Sequence, residues 1–358
     1  MQINPQYKGA LKHLATKQEE AHRKGLDSED WFLTKLDPFE TDFYKIICSK
    51  AWRRLRFKTQ VLTGRVNAHI RRRDSHSLEV LAVAGPIAEF LGLNVNLCRA
   101  IAVGHDLGHT PFGHAGEKFI TEMKGKIIEF PINKEAPIFR HEVFSVIVCQ
   151  FIERHGKGLN LTHQTLEGIL RHSRGKGEVT VDGTISQEAN TVMYADKISY
   201  LLSDFNDLFR RRLFSIDDYP ELAKIMTSCG ENQRLRTWYF VNELCTESAE
   251  QGRVSFSLCE AAKRFDEIKK LMYEVYNKAD LFGAKDILNH VYQFLDYIAS
   301  SEFNPLLALT LMTDEDVLYL HSQPCLSLAT LKETSVWELI PFLKQNKDMS
   351  LTDPKLDW

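Results

Sequence analysis

Residues 102–117 read Ala-Val-Gly-His-Asp-Leu-Gly-His-Thr-Pro-Phe-Gly-His-Ala-Gly-Glu. Three histidines and two carboxylates fall within thirteen positions, from His105 to Glu117. The neighbouring imidazole and carboxylate of His105-Asp106 suit a hard or borderline divalent ion such as Mn²⁺, Fe²⁺, Mg²⁺ or Zn²⁺. An ion held with an open position polarises phosphoryl oxygens and makes water a better nucleophile near neutral pH. One dyad does not fill a coordination sphere, so further ligands must come from other elements. His76, in Arg73-Asp-Ser-His-Ser-Leu-Glu-Val80, falls in the first turn of a helix just before the dyad's own. Asp196 is flanked by Val192, Ala195, Ile198, Leu201 and Leu202, which turns its carboxylate toward an apolar interior. A carboxylate there needs a partner, and a metal, an arginine or a helix cap would each supply one.

Helices must position these groups, because apolar residues recur mainly at helical spacing. With Asp74 as N-cap, Leu78, Leu81, Ala84, Ala88 and Leu91 mark one stripe that closes at Gly92, with a kink expected at Pro86. Asn94 caps a second helix through Leu97, Ala100, Ile101 and Val103, ending at His105-Asp106 before Gly108. Thr110-Pro111 has the form of a cap and first-turn proline opening a third helix. There, His114 and Glu117 lie three apart and share a face. Further helices are expected over 139–154, 162–172, 187–211, 233–247, 258–277, 285–301 and 327–345, and a loop or short hairpin over Gly175–Gly183. On the 187–211 helix, Asp196, Tyr200 and Asp204 are spaced by four and project from one side.

The bulk composition narrows the function class. The 358 residues are 44% hydrophobic, enough for a full core. Forty-five basic against 48 acidic residues leave a net charge of −3, which gives no global attraction to nucleic acid. The runs Arg71–Arg73 and Arg210–Arg212 leave local contacts with phosphates, an allosteric nucleotide or single-stranded nucleic acid open, although solvated helix ends explain most such runs. Seven dispersed cysteines without a Cys-x-x-Cys pair read as reduced thiols. With no secretory signal and no long apolar stretch, a cytoplasmic protein without a membrane span is expected. His13, His22, His155, His163, His172, His290 and His321 read as surface or capping residues, and no motif claims His69.

The order His, His-Asp, Asp on separate helices resembles the HD-domain metal phosphohydrolases. Three strings sharpen the likeness: Arg-x-x-His-Ser-Leu-Glu-Val at 73–80, His-Asp-Leu-Gly-His-x-Pro-Phe-Gly-His-Ala-Gly-Glu at 105–117, and Tyr-Ala-Asp-Lys-Ile-x-Tyr at 194–200. They are similar to the deoxynucleoside triphosphate triphosphohydrolases, the dGTPase-like dNTPases, over roughly residues 50–212. The resemblance implies an all-α HD-domain helical bundle with additional C-terminal helices. The expected layout is an N-terminal segment (1–49), an HD core (50–215) and a C-terminal helical region (216–358) packed on it as one unit.

By the same resemblance, His76, His105, Asp106 and Asp196 are the metal ligands, and the ion is Mn²⁺, Mg²⁺ or Fe²⁺. His114 moves a proton or activates the nucleophile, oriented by Glu117, and His141 contacts phosphate or protonates the leaving group. His109, Lys197 and Arg73 bind phosphates, Tyr200 and Asp204 contact the deoxyribose, and Gln60 touches sugar or base. The implied reaction converts a dNTP into deoxynucleoside and inorganic triphosphate, in a homo-oligomer that is often a hexamer and sometimes needs a nucleotide activator. The same residues also admit an HD-type nucleotidase or phosphodiesterase, or a regulator that binds nucleotides or single-stranded nucleic acid without turnover.

Overall fold

Short polar side chains set the starts of many helices. Asp37 accepts from the Phe39 and Glu40 N–H groups, Asn94 from Leu97 N–H, and Thr162 from Thr165 N–H. Each such cap stabilises its helix by about 1 kcal/mol. The computed structural model describes residues 4–25, 30–60, 69–127, 138–173, 185–210, 215–278, 283–356 and 358. Its α-helices, in chain order, are α1 (Pro38–Ile47), α2 (Lys50–Leu55), α3 (Arg73–Leu91), α4 (Val95–Gly104), α5 (His114–Ile127), α6 (His141–Ile147), α7 (His163–Arg171) and α8 (Gln187–Arg210). Then follow α9 (Pro220–Cys229), α10 (Gln233–Gln251), α11 (Glu260–Lys278), α12 (Ala284–Ala299), α13 (Pro305–Leu311), α14 (Asp314–Ser322), α15 (Leu328–Lys332) and α16 (Ile340–Gln345). Extended pairing among the described residues is confined to two isolated bridges, Arg23–Thr162 and Thr59–Arg72, so the all-α expectation holds. None of the described helices is long and apolar enough to cross a membrane.

Several local expectations need correction. Asp74 lies inside the first turn of α3, whose N-cap is Arg72, because Ser75 Oγ reaches back to accept the Arg72 N–H at 2.9 Å. The buried stripe of α3 runs through His76, Val80, Val83, Ala84, Ile87, Ala88 and Leu91, while Leu78 is 51% exposed. The helix continues unbroken through Pro86, which lies on its exposed side. Thr110-Pro111 does not open α5: Phe112 and Gly113 have φ of 59° and 56°, so the helix starts only at His114. The 139–154 helix becomes α6 followed by a wider turn at Val148–Ile152, and the 327–345 helix splits into α15, a short turn and α16. Gly175–Gly183 falls outside the described residues, as do Arg211 and Arg212.

Helices α3, α4 and α8 pack against one another, with α1 against α4. Two apolar cores flank this layer. One joins Val80, Ile87, Leu97 and Ile198 to Leu244, Phe265 and Met272 from α10 and α11. The other joins Val103, Phe119, Phe144 and Ile169 to Leu288, Leu307, Leu320 and Leu343 from α12, α13, α14 and α16. Each core therefore mixes residues from before and after position 215.

Candidate active site

Helices α3 and α8 converge on the end of α4. The first turn of α3 brings Arg73 and His76, the end of α4 brings His105 and Asp106, and the middle of α8 brings Asp196. His76 Nε2 donates to Asp196 Oδ1 at 2.9 Å, and His105 Nε2 lies 3.4 Å from Asp106 Oδ1 and 3.7 Å from Asp196 Oδ1. His105 Nδ1 donates to Ala102 O at 2.7 Å, which fixes the proton there and leaves Nε2 as the lone-pair nitrogen. That Nε2 is buried without a hydrogen-bond partner between two carboxylates. A buried unpartnered acceptor is costly, and a cation between these groups answers the cost. His76, His105 and Asp196 present ligand atoms within 4.8 Å of one another, so the residues present fit a divalent ion.

Electrostatics sort these donors. Burial lowers the pKa of His76 but the Asp196 hydrogen bond and charge raise it further, so an ion would displace that proton, whereas His105 and the two carboxylates already stand in ligating form. Burial lowers the pKa of His105, holding its ring neutral. Burial works against ionisation of Asp196, yet the His76 hydrogen bond and the neighbouring imidazoles outweigh it and bring its pKa down to about 2. Asp106 is held well below the usual carboxylate range in the same way, with His105, His109 and Arg73 overcoming burial. Arg73 donates from Nη1 to Asp106 Oδ2 at 2.8 Å and from Nη2 to Gln60 O at 3.1 Å. Its guanidinium thus orients Asp106 as well as lining the site, a double use that spacing alone does not reveal. Gln60 contributes its backbone to Arg73, while its Oε1 is buried without a partner.

A second group of histidines gathers on Glu117. The turn after α4 folds tightly onto α6: Gly108 N–H donates to Ser145 Oγ at 2.8 Å, and Ser145 Oγ donates to His105 O at 2.8 Å. A Cβ at Gly108 would lie 2.2 Å from Ser145 N, so only glycine fits this approach. Through it His141, the first residue of α6, stacks on His109 with centroids 3.8 Å apart. Glu117 lies 2.8 Å from His141 Nδ1, 3.1 Å from His109 Nδ1 and 3.3 Å from His114 Nδ1. Asp106 Oδ1 lies between the two groups, 3.3 Å from His109 Nε2 and 3.9 Å from His141 Nε2. Burial opposes a charge on His141, but Glu117 outweighs it and raises the pKa to about 9. His109 goes the other way, to about 3, under burial and the repulsion of Arg73 and His141. The His114 side chain is 82% exposed, which sets it at the rim.

The turn carrying His109 is secured from far along the chain. Asp314, the first residue of α14, accepts from Phe112 N–H at 2.9 Å, Thr59 N–H at 3.0 Å and Thr59 Oγ at 2.6 Å. Lys58 Nζ donates to the carbonyl of His109, and burial followed by the charge of Arg54 brings its pKa down to about 7.

One turn beyond Asp196 on α8 sits Tyr200, and one turn further Asp204. Asp204 is buried and accepts from Tyr276 Oη at 2.8 Å, and burial raises its pKa to about 7. The Tyr200 hydroxyl is raised well above 10 by burial and then by Tyr273. Lys197 is buried on the same helix. Tyr273 and Tyr276 on α11 were not expected here, since nothing in the local sequence pairs α11 with α8. Of the arginine run, Arg71 pairs with Glu79 at 2.7 Å and Asp207 at 2.8 Å, and Arg72 with Glu315 at 3.2 Å. These are internal pairs rather than a free basic patch. His172 is a capping residue, as expected, since it is the C-cap of α7 and bonds Ile169 O, but it is not on the surface: it is only 1% exposed and packs edge-on against His105 at 4.9 Å. His69 is exposed.

Residues 73–201, which contain both histidine groups except Gln60's contribution, match the HD domain family. The chain is 39% identical over 220 residues to a deoxyguanosinetriphosphate triphosphohydrolase-like protein of Caldanaerobacter subterraneus, covering 61% of this chain and 59% of that relative. It is 34% identical over 265 residues to the protein so named in Clostridium tetani, with 72% of each chain covered. It is 33% identical over 269 residues to that of Desulfatibacillum aliphaticivorans, again 72% of each. The chain belongs to the deoxyguanosinetriphosphate triphosphohydrolase-like family. Its HD segment runs from the start of α3 into α8.

Proposed function

We propose that this chain hydrolyses deoxynucleoside triphosphates, dGTP or several dNTPs, to the deoxynucleoside and inorganic triphosphate. The observation that carries the reading is the pair of adjoining clusters: the unpartnered His105 Nε2 between two ionised carboxylates, and the Glu117 carboxylate with the charged His141 beside it. A divalent ion held by His76, His105, Asp106 and Asp196 would supply Lewis-acid polarisation of the α-phosphate. In the reaction water adds to the α-phosphorus and the bond from phosphorus to the 5′ oxygen breaks, so that oxygen must gain a proton. His141, kept protonated by Glu117, is placed to deliver it, and His114 at the rim shares the same carboxylate for taking the proton of water. Lys197, Arg73 and His109 would bind the phosphates, and Tyr200 and Asp204, one and two turns from Asp196, would contact the sugar. Residues 216–358 belong to the same working unit, since α11 and α14 reach Asp204 and the His109 turn.

The test is direct. The purified protein is incubated with each dNTP and NTP in Mn²⁺, Mg²⁺ or Fe²⁺, and products are separated chromatographically. Inorganic triphosphate with free deoxynucleoside is expected. Orthophosphate or a nucleotide monophosphate as the product would instead place the chain among HD-type nucleotidases or phosphodiesterases.

A further inference from the structure

His172 lies outside every motif quoted above, yet it is built like a ligand. Its Nδ1 donates to Ile169 O at 2.7 Å, and His105 Nδ1 donates to Ala102 O at the same distance. Both rings stand at a helix end and are anchored to the carbonyl three residues back. A proton fixed on Nδ1 leaves Nε2 as the donor nitrogen, which is how metal-binding imidazoles are oriented. A ring nitrogen of His172 lies within 4.8 Å of the ligand atoms of both His105 and Asp106.

The helix contact that brings the two rings together is unusually close. On α4, a Cβ at Gly104 would lie 2.4 Å from Ile169 Cδ1; on α7, a Cβ at Gly168 would lie 2.2 Å from Ile101 Cδ1. Each helix thus places a glycine under an isoleucine of the other. Ring geometry points the same way. Two imidazoles on one ion at about 2.1 Å have centroids roughly 4.5–5.5 Å apart. His105 and His172 are 4.9 Å apart with planes at 83°, and His76 and His105 are 5.5 Å apart at 64°. The stacked His109 and His141, at 3.8 Å and 15°, do not have that relation. His141 and His172, at 5.4 Å and 54°, fall within it without sharing a triad, so the triads and the Nδ1 anchors decide.

His105 has a single nitrogen to give, so the triads His76–His105–Asp196 and His105–Asp106–His172 must serve one ion. We propose that His172 is a fifth protein ligand of that ion, completing a set of three imidazoles and two carboxylates. This rests on the metal-dependent reading above and adds a nitrogen to its ligand set. The extra imidazole favours Mn²⁺ or Fe²⁺ over Mg²⁺, which prefers oxygen.

Pulsed electron paramagnetic resonance on the Mn²⁺-loaded protein counts directly bound nitrogens without requiring turnover. Three nitrogens are expected in the unsubstituted protein and two in His172→Gln, with Mn²⁺ affinity at least about 10-fold weaker in the variant. Circular dichroism of the metal-free variant checks its fold. Two nitrogens in the unsubstituted protein would overturn the fifth ligand even if the variant fails to fold, and leave the four-ligand site intact. An unchanged count and affinity in folded His172→Gln would overturn it as well. No Mn²⁺ binding by the unsubstituted protein would instead remove the metal-dependent reading itself.

Discussion

The two histidine groups share Asp106 but are anchored differently. His105 and His172 donate Nδ1–H to backbone carbonyls, whereas His141, His109 and His114 turn Nδ1 toward the Glu117 carboxylate. A carbonyl fixes a tautomer without stabilising a positive ring; a carboxylate does both. Burial therefore wins at His105 and His172, the latter falling to about 4, while Glu117 wins at His141; at His109 burial and the repulsion of Arg73 and His141 prevail even beside the same carboxylate. One residue type becomes a lone-pair donor or a proton donor according to what stands behind it.

Removing a ligand should break the first group altogether. His105→Ala or Asp106→Asn is expected to lose bound metal and to reduce kcat/KM by roughly 10⁴-fold or more. Metal analysis beside product chromatography checks this, and a metal-replete, active Asp106→Asn would contradict it. Glu117→Gln should strike only the second group: metal content stays while kcat falls by about 10²–10³-fold. The sign of its pH effect follows from the raised value at His141. Activity that needs the protonated ring fades as pH rises through about 9, and without Glu117 that limb moves to lower pH. A pH–rate profile with an unmoved alkaline limb would assign it to another group.

A smaller effect is expected where the groups are held rather than where they act. Asp314→Ala leaves Phe112 and Thr59 N–H groups unpaired and should cost about 2–3 kcal/mol of stability, read by denaturant unfolding. It should also lower kcat more than Mn²⁺ affinity, because the secured turn carries His109 and leads into α5. The effect furthest from the chemistry concerns Asp204, outside both groups. Its folded pKa of about 7 exceeds the ordinary 3.8, so the folded state binds the extra proton and stability falls as pH rises between those values. Asp204→Asn removes that dependence. Its Tm should gain on the unsubstituted protein by a few degrees between pH 4 and pH 7; a constant difference would contradict the buried carboxyl's cost.

Much of this was legible in the sequence because the signals are local. Asn94 before an apolar stripe marks α4, and spacing by four along α8 aligns Asp196, Tyr200 and Asp204. What was missed depends on contacts between distant segments. His172 has no neighbouring ligand in its own helix; only the Gly104–Ile169 and Gly168–Ile101 contacts bring it to His105. Tyr276 lies on α11, whose apolar periodicity reports burial but not what the helix faces, and Asp314 opens α14, which is outside the helices expected from the sequence. The late start of α5 turned on left-handed backbone at Phe112, a conformation that residue types disfavour and that the Asp314 contact supports.

That contact spans 202 residues, from Phe112 to Asp314. A ribosome adding about 5–20 residues per second needs roughly 10–40 s to cover that distance. During synthesis, the turn that presents His109 and His114 therefore waits tens of seconds for the acid that secures it. The residues proposed as ligands all precede position 200 and so emerge before that acid does.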